Sequence, residues 1–325
     1  MPDLPQSVSI SEEGPREGFQ IEPDPIPTVR KIELIDALSE TGLKRIQVAS
    51  FVSPKRVPGW ADADEVVEGF RRVPGVAYSV LWLNERGLDR ALGKQGIERQ
   101  GAISTSASET FMRKNTNRGH ERNREVQSNQ IDTYLAHGMP VRKASVMAAF
   151  GCNFEGEIPV PKVLEAVRGL MEVAAEKSVK IDTLSLADTM GWAQPASIRA
   201  VCGAVREAWP AQEIALHLHD TRGMGIANAY AGLEMGVTKF DSSVAGLGGC
   251  PFAGHKGAAG NVCTEDLVFL CEEMGIDTGV DLDALIECAR LAEDIVGHPL
   301  PGSVMHGGSL TRFRDARKAL PSTPA

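Results

Sequence analysis

The chain has 325 residues, of which 42% are hydrophobic and 24% charged. This composition is typical of a soluble globular protein with enough apolar material for one large α/β domain or two ordinary ones. With 34 Lys and Arg against 43 Asp and Glu, the net charge of −9 argues against nucleic acid or an anionic membrane as the main partner. An anionic substrate would need a local group of basic side chains or a metal ion.

The cysteines and the N-terminus bear on the cellular compartment. Six cysteines include no C-x-x-C pair, which in a chain of this length indicates reduced thiols rather than a disulfide framework. No apolar run approaches the length of a membrane span, and the first residues, MPDLPQS, lack the basic and apolar regions of a signal peptide. We therefore expect a cytoplasmic protein that does not bind membranes.

Runs typical of β-strands alternate with helical stretches along the chain. The intervening stretches have apolar residues at helical spacing, as in 29–42 and 160–177, and several close with glycine, as at Gly42 and Gly236. Strands are predicted at 8–12, 45–52, 77–83, 101–106, 143–150, 180–187, 213–219 and 239–246.

Eight strands, each followed by a helix, predict a (β/α)8 TIM barrel. A doubly wound open sheet is the alternative, because it shares the alternation of strands and helices. No linker rich in Pro and Ser divides the chain, so we expect one barrel over residues 1–276 and a C-terminal helical extension and tail over 277–325. The segment after Gly307 is expected to be loosely ordered.

The segment HLHD at 217–220 raises the question of a metal site. Alternate side chains of a strand point to one face, so His217 and His219 lie together while Leu218 faces away. Two imidazoles on one face can bind one metal ion. The alternative is a polar strand end with two unrelated histidines.

A barrel would bring further polar residues to the same rim, because active sites of this fold lie at the carboxyl ends of the strands. Arg16 and Glu17 follow the first predicted strand. A glycine-rich stretch with Cys250 and Asn261 follows the last one.

Several motifs resemble those of the 3-hydroxy-3-methylglutaryl-CoA (HMG-CoA) lyase family, which belongs to a superfamily of metal-dependent TIM-barrel lyases, aldolases and acyltransferases. These motifs are SFVSPK at 50–55, HLHDTRGMG at 217–225, and GLGGCPFA followed by GNVCTEDLV. The resemblance runs from Glu13 to His298, and GLGGCP is its most specific part, because the cysteine distinguishes the lyases from related synthases and aldolases.

The resemblance implies cleavage of a carbon–carbon bond in a 3-hydroxyacyl-CoA, which yields acetyl-CoA and a keto product. It also implies a divalent cation that chelates and acidifies the substrate hydroxyl. The implied ligands are Glu17, His217, His219 and Asn261. This set contains oxygen ligands and favours Mg²⁺ or Mn²⁺ over Zn²⁺.

The resemblance further implies roles for catalytic residues. Arg16 would hydrogen-bond the thioester oxygen as it becomes an enolate, Cys250 would transfer a proton, and Asp188 would lie near the substrate. Each has a simpler alternative: a surface ion pair for Arg16, a small buried residue for Cys250, a turn residue for Asp188 and a helix cap for Asn261.

The chain departs from the family at three places. Glu17 stands where the family has Asp, and the extra methylene moves the carboxylate by roughly 1.5 Å. Gln47 stands where the family has Glu, so we expect Arg16 to lack an anionic partner. The loop between Cys250 and Asn261 is two residues longer and contains His255 and Lys256.

These departures predict that HMG-CoA is a poor substrate and that another 3-hydroxyacyl-CoA is preferred. Two other functions stay open: an aldolase or Claisen-type acyltransferase with the same barrel and metal, and a non-catalytic relative that binds a metabolite. The family also suggests a homodimer.

Overall fold

The computed structural model describes residues 4–248, 260–311 and 313–314. Its sheet has eight strands, each within or overlapping one of the predicted runs. They are β1 (Ser9–Glu12), β2 (Arg45–Ser50), β3 (Ala77–Leu81), β4 (Gly101–Ser106), β5 (Val141–Met147), β6 (Thr183–Ala187), β7 (Glu213–His217) and β8 (Lys239–Ser242).

Helices connect the strands and continue beyond the last one. They are α1 (Gly14–Ile21), α2 (Thr28–Ser39), α3 (Ala63–Gly69), α4 (Glu85–Leu92), α5 (Glu109–Thr116), α6 (His120–Ala136), α7 (Val160–Glu176), α8 (Pro195–Ala208), α9 (Gly225–Glu234), α10 (Thr264–Glu273), α11 (Leu282–Val296) and α12 (Val304–Gly307).

All neighbouring strands are parallel, and the sheet order is β3-β2-β1-β8-β7-β6-β5-β4. The first strand therefore lies between the second and the eighth, and the two edge strands, β3 and β4, are consecutive in the chain. At its two edges, the backbone N–H of Glu98, just before β4, donates to the carbonyl of Tyr78 in β3 at 2.7 Å. This order is that of a barrel and excludes the doubly wound alternative, in which the order reverses at a switch point.

The helices pack on the sheet through apolar faces at helical spacing. Helix α7 buries Val163, Val167, Leu170 and Val173, which recur every three or four residues as the sequence predicts. The same buried core includes residues of α11. Helix α11 contacts α2, α10 and the short 3-10 turn after β8, so the chain beyond residue 276 packs against these elements.

Both glycines predicted to close helices have left-handed backbone conformations. Gly236 follows α9 with a φ of +69°, a backbone conformation that residues with a side chain adopt only with strain. Gly42, with φ of +92°, lies three residues beyond α2, and a Cβ there would collide with the carbonyl of Gly279. Helix α12 ends at Gly307. In the tail that follows, residues 312 and 315–325 lie outside the described residues. No helix in the described ranges is long and apolar enough to cross a bilayer.

Candidate active site

The end of β7 brings two histidines together. The strand ends at His217, and His219 lies just beyond it; their ring centroids are 5.2 Å apart, while Leu218 between them is fully buried. His219 Nδ1 is 2.9 Å from the carbonyl oxygen of Asp188. A carbonyl only accepts, so Nδ1 carries the proton and Nε2 keeps its lone pair. His217 Nδ1 lies 3.3 Å from a carboxylate oxygen of Asp241, which fixes the same tautomer.

Helix α1 begins two residues after β1 and carries Arg16 and Glu17. Its start is held by the buried Glu12, whose Oε1 accepts from the backbone N–H of Gly14 at 2.7 Å and of Val244 at 2.9 Å. A Cβ on Gly14 would lie 2.5 Å from that oxygen, so a larger residue there would displace the Glu12 carboxylate. The sequence predicted both site residues at this strand end but not the helix.

Glu17 lies beside the histidines, as predicted. Its Oε1 is 4.0 Å from His217 Nε2, and potential ligand atoms of Glu17, His217 and His219 all lie within 4.8 Å of one another. Its Oε2 accepts a hydrogen bond of 2.6 Å from Asn261 Nδ2. The carboxylate is therefore close enough to share one ion with both imidazoles.

Asn261 joins the cluster through its backbone and its side chain. It pairs with His219 as an isolated β-bridge, flanked by hydrogen bonds from Val262 N to Leu218 O and from Asp220 N to Gly260 O, both 2.9 Å. Its Nδ2 is engaged by Glu17, but its buried Oδ1 has no hydrogen-bond partner among the described residues. A buried amide oxygen without a partner, beside two imidazole lone pairs and a carboxylate, fits a divalent cation.

The protonation states of Glu17 and His219 suit metal binding. Burial raises the pKa of Glu17, but Arg16 and the two histidines outweigh it and bring the pKa to about 2. Burial and the neighbouring His217 lower the pKa of His219 to about 4. Burial acts in the same direction on the pKa of His217, but Asp241 and Glu17 raise it above the ordinary value. At neutral pH, Glu17 is an anion and His219 is neutral, the forms that bind metals.

Arg16 has anionic partners, and the expectation that it lacks one is wrong. Its Nη2 lies 2.9 Å from Glu13 Oε2 and 2.7 Å from Glu17 Oε1. The reason is the unpredicted helix: Glu13 directly precedes α1, so Glu13 and Arg16 are three residues apart on adjacent turns. Gln47 contacts Arg16 as well, since its Oε1 accepts from Arg16 Nε.

Asp188 follows β6 and shapes the turn beside the histidines. Its Oδ1 accepts from the backbone N–H groups of Trp192 at 2.7 Å and Ala193 at 3.0 Å, while its carbonyl accepts from His219. Its Oδ2 is buried without a hydrogen-bond partner among the described residues. Burial raises the pKa of Asp188 to about 6, although the backbone donors lower it. Asp188 therefore stabilises the turn through Oδ1, and its Oδ2 remains available for another contact.

Cys250, His255 and Lys256 lie outside the described residues, so their predicted roles stay predictions. The flanking glycines Gly248 and Gly260 are described. A Cβ on Gly248 would lie 3.4 Å from the Cβ of Glu17, so Gly248 packs against the cluster. The five other cysteines are buried and form no disulfide among the described residues.

The sequence interpretation missed three charged residues near the cluster: Glu13, Asp241 and Lys143. Asp241 in β8 orients His217, and Lys143 in β5 approaches Asp241 at 3.5 Å. An aspartate within an otherwise buried strand was the available signal for Asp241, because a buried charge requires a partner.

Comparison with known proteins supports the resemblance over most of the chain. The sequence profile of the HMGL-like family matches residues 7–292. Hydroxymethylglutaryl-CoA lyase YngG of Bacillus subtilis is 41% identical over 297 residues, covering 91% of this chain and 96% of that protein.

Solved structures agree with the sequence comparison. The HMG-CoA lyase structure from Bacillus subtilis has a TM-score of 0.85 and 40% identity, covering 94% of this chain and 99% of its own. An HMG-CoA lyase from Acinetobacter baumannii, solved with coenzyme A and 3-methylmalate, has a TM-score of 0.83 and 36% identity, with 98% of each chain covered. The parallel eight-stranded fold, the residues gathered at the end of β7 and these similarities together show that the chain belongs to the HMGL-like family.

Proposed function

We propose that this protein is a metal-dependent carbon–carbon lyase that cleaves HMG-CoA or a close 3-hydroxyacyl-CoA analogue to acetyl-CoA and a keto product. The observation that carries the proposal is the cluster of Glu17, His217 and His219 beside the unpartnered Oδ1 of Asn261. It is supported by relatives named HMG-CoA lyases and by the structure of one of them with coenzyme A.

The four cluster residues would hold Mg²⁺ or Mn²⁺, because two of them offer oxygen ligands. A bound cation of this kind acidifies a chelated hydroxyl and polarises a neighbouring oxygen. The hydrogen bonds from His219 Nδ1 to the Asp188 carbonyl and from His217 Nδ1 to Asp241 fix the tautomers in which both Nε2 atoms can bind a metal. Glu17 is held as an anion at the same time by Arg16.

Arg16 is proposed to stabilise the enolate oxygen that develops as the carbon–carbon bond breaks, since this charge grows in the transition state. Gln47 helps hold its guanidinium through Nε. Asp188 is our candidate for the group that accepts the hydroxyl proton, because its Oδ2 is unpartnered within the described part of the chain and its pKa of about 6 suits a base. Cys250 is proposed to return a proton to the departing enolate.

The departures from the family bear on the acyl group less than the sequence suggested. Arg16 is neutralised by Glu13 and Glu17, so the argument that it presents an uncompensated charge to the substrate no longer holds. The longer Glu17 and the longer loop still favour an acyl group other than 3-hydroxy-3-methylglutaryl.

The proposal extends to the architecture and setting of the enzyme. We assign a closed (β/α)8 barrel to residues 1–276 and a C-terminal helical extension and tail to 277–325. A cytoplasmic location follows from the cysteine usage, an acyl-CoA is the expected partner, and a homodimer is suggested by the family alone.

The test is a substrate panel with metal-loaded protein. We expect cleavage of at least one 3-hydroxyacyl-CoA ester that depends on Mg²⁺ or Mn²⁺ and is lost with a chelator. Turnover of 4-hydroxy-2-oxoacids instead would establish the aldolase alternative, and failure to bind Mn²⁺ would favour a non-catalytic relative. A kcat/KM above about 10⁴ M⁻¹s⁻¹ for HMG-CoA itself would contradict the predicted preference for another acyl group.

A further inference from the structure

The guanidinium of Arg16 is held by three side chains. Nε donates to Gln47 Oε1, and Nη2 contacts Glu13 Oε2 at 2.9 Å and Glu17 Oε1 at 2.7 Å. The side chains of Arg16 and Glu13 are only 12% and 10% exposed. No hydrogen bond from Nη1 is found within the described residues, so anchoring at Nε and Nη2 leaves Nη1 for another ligand.

The two carboxylates on Arg16 have different additional contacts. Glu17 also contacts Asn261 and belongs to the candidate metal cluster. The Glu13 carboxylate has Arg16 as its one hydrogen-bond partner in the described part of the chain. Glu13 is therefore the carboxylate that can hold Arg16 without withdrawing charge from the metal ligands.

We infer that Glu13 is a positioning residue for the proposed reaction: it contacts Arg16 Nη2 together with Glu17, so that Glu17 is not the sole anionic partner of the guanidinium and the guanidinium keeps its position towards the substrate. The inference rests on the proposed function, in which Arg16 contacts the developing enolate. Without Glu13, Arg16 would pair more fully with Glu17, and that pairing would weaken Glu17 as a metal ligand.

The surroundings of Glu13 show that its charge depends on basic neighbours. Burial raises the pKa of Glu13, and Arg16 opposes this effect. Asp241 and Glu17 add like charges, whereas Lys143 contributes a compensating positive charge. A carboxylate in such a place is costly unless its partner stays in contact. The cost is understandable if the contact with Arg16 serves the reaction.

Gln47 offers a direct test, because its Oε1 already touches Arg16 Nε. A glutamate at this position would be nearly the same size as the glutamine and would place a carboxylate oxygen at that atom. The combination Glu13→Gln with Gln47→Glu therefore moves one negative charge from one side of Arg16 to the other. It does so with almost no change in the volume of either side chain, and it restores the glutamate that the family has at this position.

The experiment measures kcat, KM and Mn²⁺ affinity for the parent, Glu13→Gln, Gln47→Glu and the double variant. We expect Glu13→Gln to lower kcat by about 10-fold to 100-fold, as for a misplaced catalytic group, with a smaller change in KM. The double variant should recover most of the loss. Glu33→Gln is the control, because Glu33 forms an i,i+3 pair with Arg30, in the reverse order, on a more exposed helix face, and it should leave kcat unchanged.

A structural role for Glu13 predicts a different pattern. The melting temperature of Glu13→Gln would then fall while kcat stays at the parent value, or the double variant would be as slow as Glu13→Gln; either result overturns the inference. If Glu13→Gln does not fold, the double variant decides: a folded and active double variant supports the inference, and an unfolded one overturns it.

A second readout separates this inference from the proposed function. In metal-free protein, the Nε–H NMR signal of Arg16, assigned by its loss in Arg16→Lys, should exchange faster with water in Glu13→Gln and return towards the parent rate in the double variant. This result would support the anchoring role even if no 3-hydroxyacyl-CoA is cleaved. An Nε–H signal that is unchanged in Glu13→Gln would overturn it, whatever the activity.

Discussion

Strand β7 has a different kind of polar residue at each end. Glu213 at its start has a side chain that is 55% exposed and pairs with Lys239 of β8 at 2.7 Å. His217 at its end is 16% exposed and is held by Asp241 in the same neighbouring strand. One short strand thus connects a solvated rim of the sheet to the buried candidate metal cluster.

The two rims differ in how their polar groups are satisfied. The amino end surrounds a cavity of about 490 Å³, where Arg142 pairs with Asp182 at 2.6 Å and Arg45 pairs with Glu98. At the carboxyl end, the buried Oδ1 of Asn261 has no partner among the described residues. Exposed ion pairs contribute little to stability, whereas a buried polar atom without a partner requires an explanation, such as a role in metal binding. We therefore propose that the chemistry takes place at the carboxyl-end rim.

The strongest test of this assignment removes one histidine. His217→Ala or His219→Ala should abolish binding of Mn²⁺ and carbon–carbon cleavage together, by more than the roughly 100-fold that loss of an outer partner costs. Metal content after dialysis and kcat are the measurements. His298→Ala is the control, since that histidine is 48% exposed and pairs with Glu22. Full metal occupancy in His217→Ala would contradict the proposed metal site.

Cys250 should affect catalysis without affecting the metal. Cys250→Ser is expected to fold and bind Mn²⁺ like the parent but to lose turnover by on the order of 10²-fold or more, as when a proton-transfer group is removed. The comparison of kcat with Mn²⁺ affinity checks this. Turnover at the parent rate would show that the cysteine in GLGGCP has no part in proton transfer.

The sequence predicted the strands and the two histidines because both leave local signals. Buried parallel strands are short apolar runs between helices, and His-x-His at a strand end needs only the alternation of side chains. The left-handed conformation of Gly236 was equally predictable, since a glycine two residues after a helix commonly ends it in this conformation. These features depend on a few consecutive residues.

The partners of the site residues could not be predicted from the sequence in the same way. Lys143 and Asp241 approach each other from β5 and β8, which are not neighbours in the sheet, so no local pattern pairs them. Glu13 was missed for another reason: no helix was predicted directly after β1, where α1 begins with Pro15 in its first turn. With that helix predicted, the spacing of Glu13 and Arg16 would have indicated their contact.

Asp241 connects the two rims, because it lines the amino-end cavity and also contacts His217. Burial raises the pKa of Asp241, but Lys143 and His217 hold it well below the usual range, so its carboxylate is ionised. Asp241→Asn removes the anion that orients His217 and should weaken Mn²⁺ binding by roughly 10-fold to 100-fold. Titration calorimetry measures this. Asp182→Asn, a carboxylate of the same cavity paired with Arg142, should leave the affinity unchanged. An equal effect of both would mean that the cavity, and not His217, is responsible.

The smallest effect is expected at the start of β7. Glu213→Gln removes the carboxylate that pairs with Lys239, and both side chains are more than a third exposed, so water screens the pair. Lys239 also keeps its hydrogen bond to Thr183 Oγ1 at 3.0 Å, which limits any rearrangement. The free energy of unfolding in urea should change by less than about 1 kcal/mol. Mn²⁺ affinity and kcat/KM should equal those of the parent, although Glu213 lies only four residues before His217 on the same strand. A loss of metal affinity in Glu213→Gln would show that β7 transmits changes from one rim to the other, and the separation of the two regions would then be wrong.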